Sequence, residues 1–168
     1  MRNRIRYWTH AAIIAALYAV LTHLQNLILP GSASWAIQCR LSEALCVLAL
    51  FTPAAIPGLA VGCLVFNMTS AAVLPLDFLL GSMATALTAW SMWLLRRRTL
   101  KGYPLAALLM PAVFNALLIG WELTVYIGGG FFLNALYVAI GELIVMLTLG
   151  SLLYRAMKRR HLNTLLFG

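Results

Sequence analysis

Residues 74–95 read LPLDFLLGSMATALTAWSMWLL, and three arginines, Arg96, Arg97 and Arg98, follow at once. After Asp77 the run carries no charge. About 20 predominantly apolar residues are enough for an α-helix to cross the hydrocarbon core of a bilayer. A strand of a membrane barrel would instead alternate apolar and polar residues over some ten positions, and this run does not. It reads as a spanning helix with a basic stop, and comparable apolar runs recur along the chain.

The composition agrees. The chain has 168 residues, 63% hydrophobic and 10% charged, with a mean hydropathy of +0.93. A soluble domain carries about 25% charged residues. The expectation is an all-α integral membrane protein, a single transmembrane domain over 1–168. Residues 1–29 have a basic start and an apolar run, but NLILPGS is a poor small-x-small cleavage site. With Tyr18, Thr22, His23, Gln25 and Asn26 inside it, the segment reads as a retained first helix. Cys39, Cys46 and Cys63 show neither zinc-ligand spacing nor a disulfide framework and read as small apolar helix residues.

Eleven of the twelve Lys/Arg fall into three groups, namely Arg2, Arg4 and Arg6; Arg96 to Arg98 with Lys101; and Arg155, Lys158, Arg159 and Arg160. Cationic flanks stay in the cytoplasm. The net charge of +8 is then explained by anionic membrane lipid and needs no nucleic acid. Both termini inside requires an even number of crossings. Six are expected, at about 8–29, 40–51, 54–70, 76–95, 104–126 and 131–154. TPAAIPG at 52–58 breaks the chain and keeps the second helix short, and Gly128 to Gly130 separate the last two spans. A short, proline-limited helix fits best where it lines a cavity.

The chain has four acids, Glu43, Asp77, Glu122 and Glu142. None is cytoplasmic in this topology. Glu142 lies roughly 16 Å along its span from Phe131 at 1.5 Å per residue. An ionisable group inside a bilayer faces a partner or a cavity, and so marks a candidate site. Asp77 could instead favour the positive N-terminus of its helix. Gln38, Arg40 and Glu43 cluster in IQCRLSEAL at 37–45, and Asn115 and Glu122 share a stripe. Asn67 closes the third span, and Trp35, Trp121 and Tyr137 lie at similar depth. Together they suggest a polar pocket open to the outside, with Gln38, Arg40, Glu43, Asn67, Asp77, Asn115, Trp121, Glu122 and Glu142 as substrate-binding candidates.

In the first span Ala11, Ala12, Ala15, Ala16 and Ala19 form two overlapping small-xxx-small registers, and Gly58 and Gly62 repeat the pattern. Such stripes bring helices close, within the protein or onto another membrane subunit. The chain has no GxxxxGK[ST], no HExxH and no credible catalytic triad. Nothing points to an enzyme, a metal or a cofactor. A pocket without an engine suggests a binding subunit that borrows its energy.

IQCRLSEAL at 37–45, FTPAAIPGLAVGCLVFN at 51–67 and LDFLLGSMATALTA at 76–89 carry a resemblance that extends over most of the chain. The chain resembles the substrate-binding (S) components of energy-coupling factor transporters, in the family assigned to uptake of queuosine precursors. The resemblance implies a bacterial cell membrane, a 7-deazaguanine substrate, and partners in a transmembrane coupling subunit and two ATPase subunits. It also implies that Ala11, Ala12, Ala15 and Ala16 form the docking face. A guanine-type edge offers two adjacent N–H donors that suit a carboxylate, and a flat heterocycle stacks on an aromatic such as Trp121 or Trp35. Arg40 would orient Glu43 or donate to the ligand carbonyl. Thiamine or another cationic vitamin would ask for much the same groups. A stand-alone proton-coupled carrier for a small cationic solute, and an assembly protein whose acids only pair helices, are the alternative readings.

Overall fold

The computed structural model describes residues 2–30, 39–70 and 73–159. Gln38, Trp35, Arg160 and His161 lie outside them. Helices account for nearly all of the described chain, as lipid demands of a backbone that must satisfy its own hydrogen bonds. They are α1 (Arg2–Ile28), a 3-10 helix (Leu41–Leu50), α2 (Ala55–Thr69), α3 (Asp77–Leu95), the short α4 (Leu105–Leu108), α5 (Met110–Tyr126), α6 (Phe131–Val145) and α7 (Ser151–Arg159). A π-helical turn (Met146–Gly150) joins α6 to α7. With Leu105–Tyr126 and Phe131–Arg159 each taken as continuous, six helical segments make the bundle among the described residues. Four are long and apolar enough to cross a membrane, at Asn3–Ile28, Asp77–Leu95, Leu105–Tyr126 and Phe131–Arg159. The 3-10 helix and α2 are shorter apolar helices. At about 2.0 Å per residue for the first and 1.5 Å for the second, each spans roughly 20 Å of a core about 30 Å thick.

The short second helix sits in the middle of the bundle. Ser42 to Ala44 and Cys46 to Leu50 are buried, and the helix touches α1, α2, α3, α6 and α7. Runs of 3-10 helix beyond three or four residues are uncommon. Here Gln25 of α1 clamps its start, donating from Nε2 to the Cys39 carbonyl at 2.6 Å and accepting the Leu41 N–H at 2.8 Å. The π turn packs against its far side, where Gly150 leaves space beside Val47. After the helix, the Thr52 hydroxyl accepts the Ala54 N–H at 3.3 Å, and Pro53 and Pro57 flank the start of α2.

The small residues divide by direction. On α2, a Cβ at Gly58 would lie 2.7 Å from the Ala11 carbonyl oxygen, and one at Gly62 would lie 2.7 Å from that of Ala15. Ala11 and Ala15 thus belong to the α1–α2 seam inside the protein. Ala12 and Ala16 are exposed on the other side of α1. Gly62→Ala is expected to lower the melting temperature, because its Cβ would also meet Tyr18 Cβ at 2.7 Å. Backbone on both sides cannot yield without separating the helices, and overpacking of this kind costs about 1–3 kcal/mol. Gly130→Ala, with nothing within 4 Å of the added carbon, should melt like the parent. Equal melting of the two variants would refute the close-approach account.

Contacts at one corner gather the basic groups. The Tyr7 hydroxyl donates to the Pro53 carbonyl at 3.5 Å. Phe51 stacks on Tyr154 with ring centroids 5.8 Å apart, and Tyr103 meets Tyr154 edge-on at 5.8 Å. Arg4 and Arg6, Lys101, and Arg155 with Lys158 therefore share one end of the bundle.

Candidate functional site

A polar interior fills the space around the start of the 3-10 helix. Arg40 precedes that helix in extended conformation (φ −77, ψ 106) and is 4% exposed. Its Nη2 donates to Asp77 Oδ2 at 2.9 Å, in the single salt bridge among the described residues. Nη1 lies 3.8 Å from Cys63 Sγ, and the guanidinium carbon sits 5.9 Å from the Phe66 ring centroid. Asp77 opens α3, where the helix dipole favours an anion. Asn67, at the end of α2, donates to the Asp77 carbonyl at 2.7 Å. Gly81 makes room for the group, since a Cβ there would meet Asn67 Nδ2 at 2.8 Å and Asp77 Oδ1 at 3.0 Å.

Glu43 is saturated by protein groups. Tyr18 donates its hydroxyl to Oε1 at 2.5 Å, the Cys46 thiol donates to Oε2 at 3.1 Å, and the Thr85 hydroxyl lies 3.5 Å from Oε1. Beside it Thr22 and Ser42 hydrogen-bond at 2.7 Å. Tyr18, Thr22 and Gln25 thus form one face of α1 that serves the 40–43 segment. Their spacing of four and three residues was the available signal, because i, i+4 and i+7 share a helix face. Thr85 carried no such signal.

Glu142 and Glu122 differ from Glu43. Asn115 Nδ2 donates to Glu142 Oε1 at 3.0 Å, but Glu142 Oε2 has no partner among the described residues, and Glu122 has no side-chain partner there, only the Leu76 backbone N–H nearby. Both residues are buried, at 2% and 0% exposure. Asn67 Oδ1 and Asp77 Oδ1 are open as well. Arg40 lies within electrostatic reach of all four carboxyl groups, so one cation stands among four acids. Of the six open buried side-chain atoms, all but the Thr88 hydroxyl are carboxyl or amide oxygens. Unsatisfied buried acceptors cost about 1–3 kcal/mol each unless a donor reaches them. The arrangement can accept hydrogen bonds from a small solute rich in N–H groups.

Of the residues expected here from sequence, the structure brings together Arg40, Glu43, Asn67, Asp77, Asn115, Glu122 and Glu142. Arg40 is turned to Asp77, with no hydrogen bond to Glu43. Trp121 is placed elsewhere: it is 49% exposed on the outer face of α5, about 100° round the helix from Glu122, and depth alone does not set that angle. Tyr18 and Phe66, both fully buried, are the aromatics of the interior.

A bundle with four membrane-length apolar helices and a polar centre defines an integral membrane protein that is built around buried charge. A family model described as QueT transporter matches residues 8–159, and the chain belongs to that family. It is a membrane transport protein for a queuosine precursor, and not an enzyme. No curated protein and no solved structure matches the chain.

Proposed function

We propose that the chain is the substrate-binding subunit of an energy-coupling factor importer in a bacterial cell membrane, and that it captures a 7-deazaguanine from outside. The observation that carries this reading is the open acceptor set of Asn67, Asp77, Glu122 and Glu142. A 7-deazaguanine offers the amino and ring N–H groups of its guanine edge to these oxygens, and its aminomethyl form adds a cation against the surplus of carboxylates. Charge-assisted bonds of that type are the strong ones. In this reading Arg40 holds Asp77 in place, Glu43 holds the start of the 3-10 helix against α1, and Glu122 and Glu142 receive the ligand.

The topology is proposed with it: six crossings near the expected boundaries, both termini and the 96–102 segment cytoplasmic, and the acids towards the outside. The positive-inside rule supports this, since the basic groups gather at one end of the bundle. Partners are a transmembrane coupling subunit and two ATPase subunits. Ala12 and Ala16 are left to the coupling subunit, in a cleft of about 760 Å³ that also includes Trp8 and Ile13.

Right-side-out vesicles carrying this chain alone should retain added aminomethyl-7-deazaguanine, and inside-out vesicles should not. Retention by neither would overturn the substrate. Retention by inside-out vesicles only would overturn the orientation. Accumulation driven by a proton gradient without partner subunits would instead identify a stand-alone carrier.

A further inference from the structure

The far end of the molecule holds a second charged site that solute capture does not use. A cleft of about 310 Å³ lies between the 100–103 turn and α7, lined by Lys101, Gly102, Tyr103, Tyr154, Arg155, Lys158 and Arg159. Four of these are cations, and no carboxylate pairs with them among the described residues. Two are held in place by aromatic rings. The Arg155 guanidinium lies 6.0 Å from the Tyr103 ring centroid, and Lys158 Nζ lies 5.7 Å from that of Tyr154. Such cation–π contacts orient the charge without neutralising it.

The turn itself is unusual. Leu100 and Tyr103 exchange backbone hydrogen bonds of 2.8 and 3.0 Å, and the two residues between them have positive φ, 50 for Lys101 and 79 for Gly102. Glycine or asparagine fits such a turn without strain, whereas a lysine there is held against its preference. The turn carries Lys101 to the lip of the cleft.

Exposed apolar residues lie on the two elements that form the cleft. Leu100, which opens the turn and also edges the neighbouring cleft, is 67% exposed, and Leu152, near the start of α7, is 66% exposed. A cationic cleft with apolar edges matches a molecule that has an anionic head and hydrocarbon tails. We infer that the cleft between the 100–103 turn and α7 binds the phosphodiester headgroup of an anionic phospholipid, with its acyl chains against Leu100 and Leu152. Arg155 and Lys158 contact the phosphate oxygens, and Lys101 closes over them from the turn. Arg97 and Arg98 line a separate cleft on the same end and supply only diffuse attraction.

The test is native mass spectrometry of the purified full-length chain, released from micelles containing equal amounts of phosphatidylglycerol and phosphatidylcholine. Phosphatidylglycerol should be retained preferentially. The variant K101N/R155Q/K158Q should lose about tenfold of that retention, while the charge-matched R4Q/R97Q/R98Q should keep it. Lys101→Asn alone removes one cation from a strained position, so it should melt no lower than the parent and still retain about threefold less lipid. Equal loss in the charge-matched control would show that surface charge alone governs binding, and would overturn the site. Displacement by excess inorganic phosphate would make it a site for free anions, and equal retention of phosphatidylcholine would remove its charge basis. Neither outcome touches solute capture at the other end.

Discussion

Arg40→Met is expected to lower the unfolding free energy by about 3–5 kcal/mol, because it strands a buried carboxylate. The Arg40–Asp77 pair is buried on both sides, at 4% and 3% side-chain exposure, with 2.9 Å between the charged atoms. Removing the cation leaves Asp77 beside Glu122, which already feels its charge, and takes the one cation from the four carboxylates. Asp77→Asn is expected to cost less. Arg40 then loses its direct partner but keeps Glu43, Glu122 and Glu142 as electrostatic neighbours, and an amide oxygen can still accept from its Nη2. The ordering is therefore asymmetric, with the cation worth more than its partner. At about 2–4 °C per kcal/mol for a chain of this size, Arg40→Met should melt roughly 6–20 °C lower. Thermal unfolding of the purified variants in detergent checks both values. An Arg40→Met protein melting with the parent, or above Asp77→Asn, would contradict this account of the interior.

The same cluster shows what a one-dimensional reading reaches. Uninterrupted apolar length, basic stops and the two prolines at 53 and 57 are local properties, so the long helices and the shortness of the second follow from them directly. That the second helix is 3-10 does not. Eight of its ten residues are buried, so it has no polar face whose period could separate three residues per turn from 3.6. Acids and amides announce a polar interior through their cost in lipid, but pairing is a matter of three dimensions. Arg40 and Glu43 are near neighbours in sequence, yet Arg40 reaches 37 residues on to Asp77. The alanines are legible as two overlapping small-residue registers, but which of the two packs inside the protein is not. Only the match of Ala11 and Ala15 with Gly58 and Gly62 across the α1–α2 seam separates them from Ala12 and Ala16. Depth along the helix groups Trp121 with the acids, but adjacent residues point about 100° apart, and it is Glu122 that faces inward.

The largest effect on binding is expected at Glu142 and Glu122, with Glu43 behaving in the opposite way. Glu142→Gln can keep the bond from Asn115 through its amide oxygen, which leaves an NH2 where Oε2 was open. A ligand donor would then face a donor, and a charge-assisted bond worth roughly 1.5–3 kcal/mol is lost. Affinity for the aminomethyl 7-deazaguanine should fall by about 10- to 150-fold at 1.4 kcal/mol per decade. Glu122→Gln removes a carboxyl group that has no side-chain partner among the described residues. It should weaken binding by a similar factor, and without ligand it should melt no lower than the parent, since a neutral amide of the same shape costs no more to bury there than a carboxyl group. Glu43→Gln puts an NH2 against the Tyr18 hydroxyl or the Cys46 thiol, both of which now donate to the carboxylate. That disturbs the contact between α1 and the 3-10 helix, so ligand-free stability should drop by about 1–3 kcal/mol. Titration calorimetry with the ligand, together with melting of the ligand-free proteins, separates the two patterns. Binding lost while stability is kept or gained is the signature of a carboxylate held open for a ligand, and an acid that only pairs helices cannot produce it. If Glu122→Gln and Glu142→Gln bind as the parent does, or melt as low as Glu43→Gln, these acids serve the fold, and the capture site lies elsewhere in the bundle.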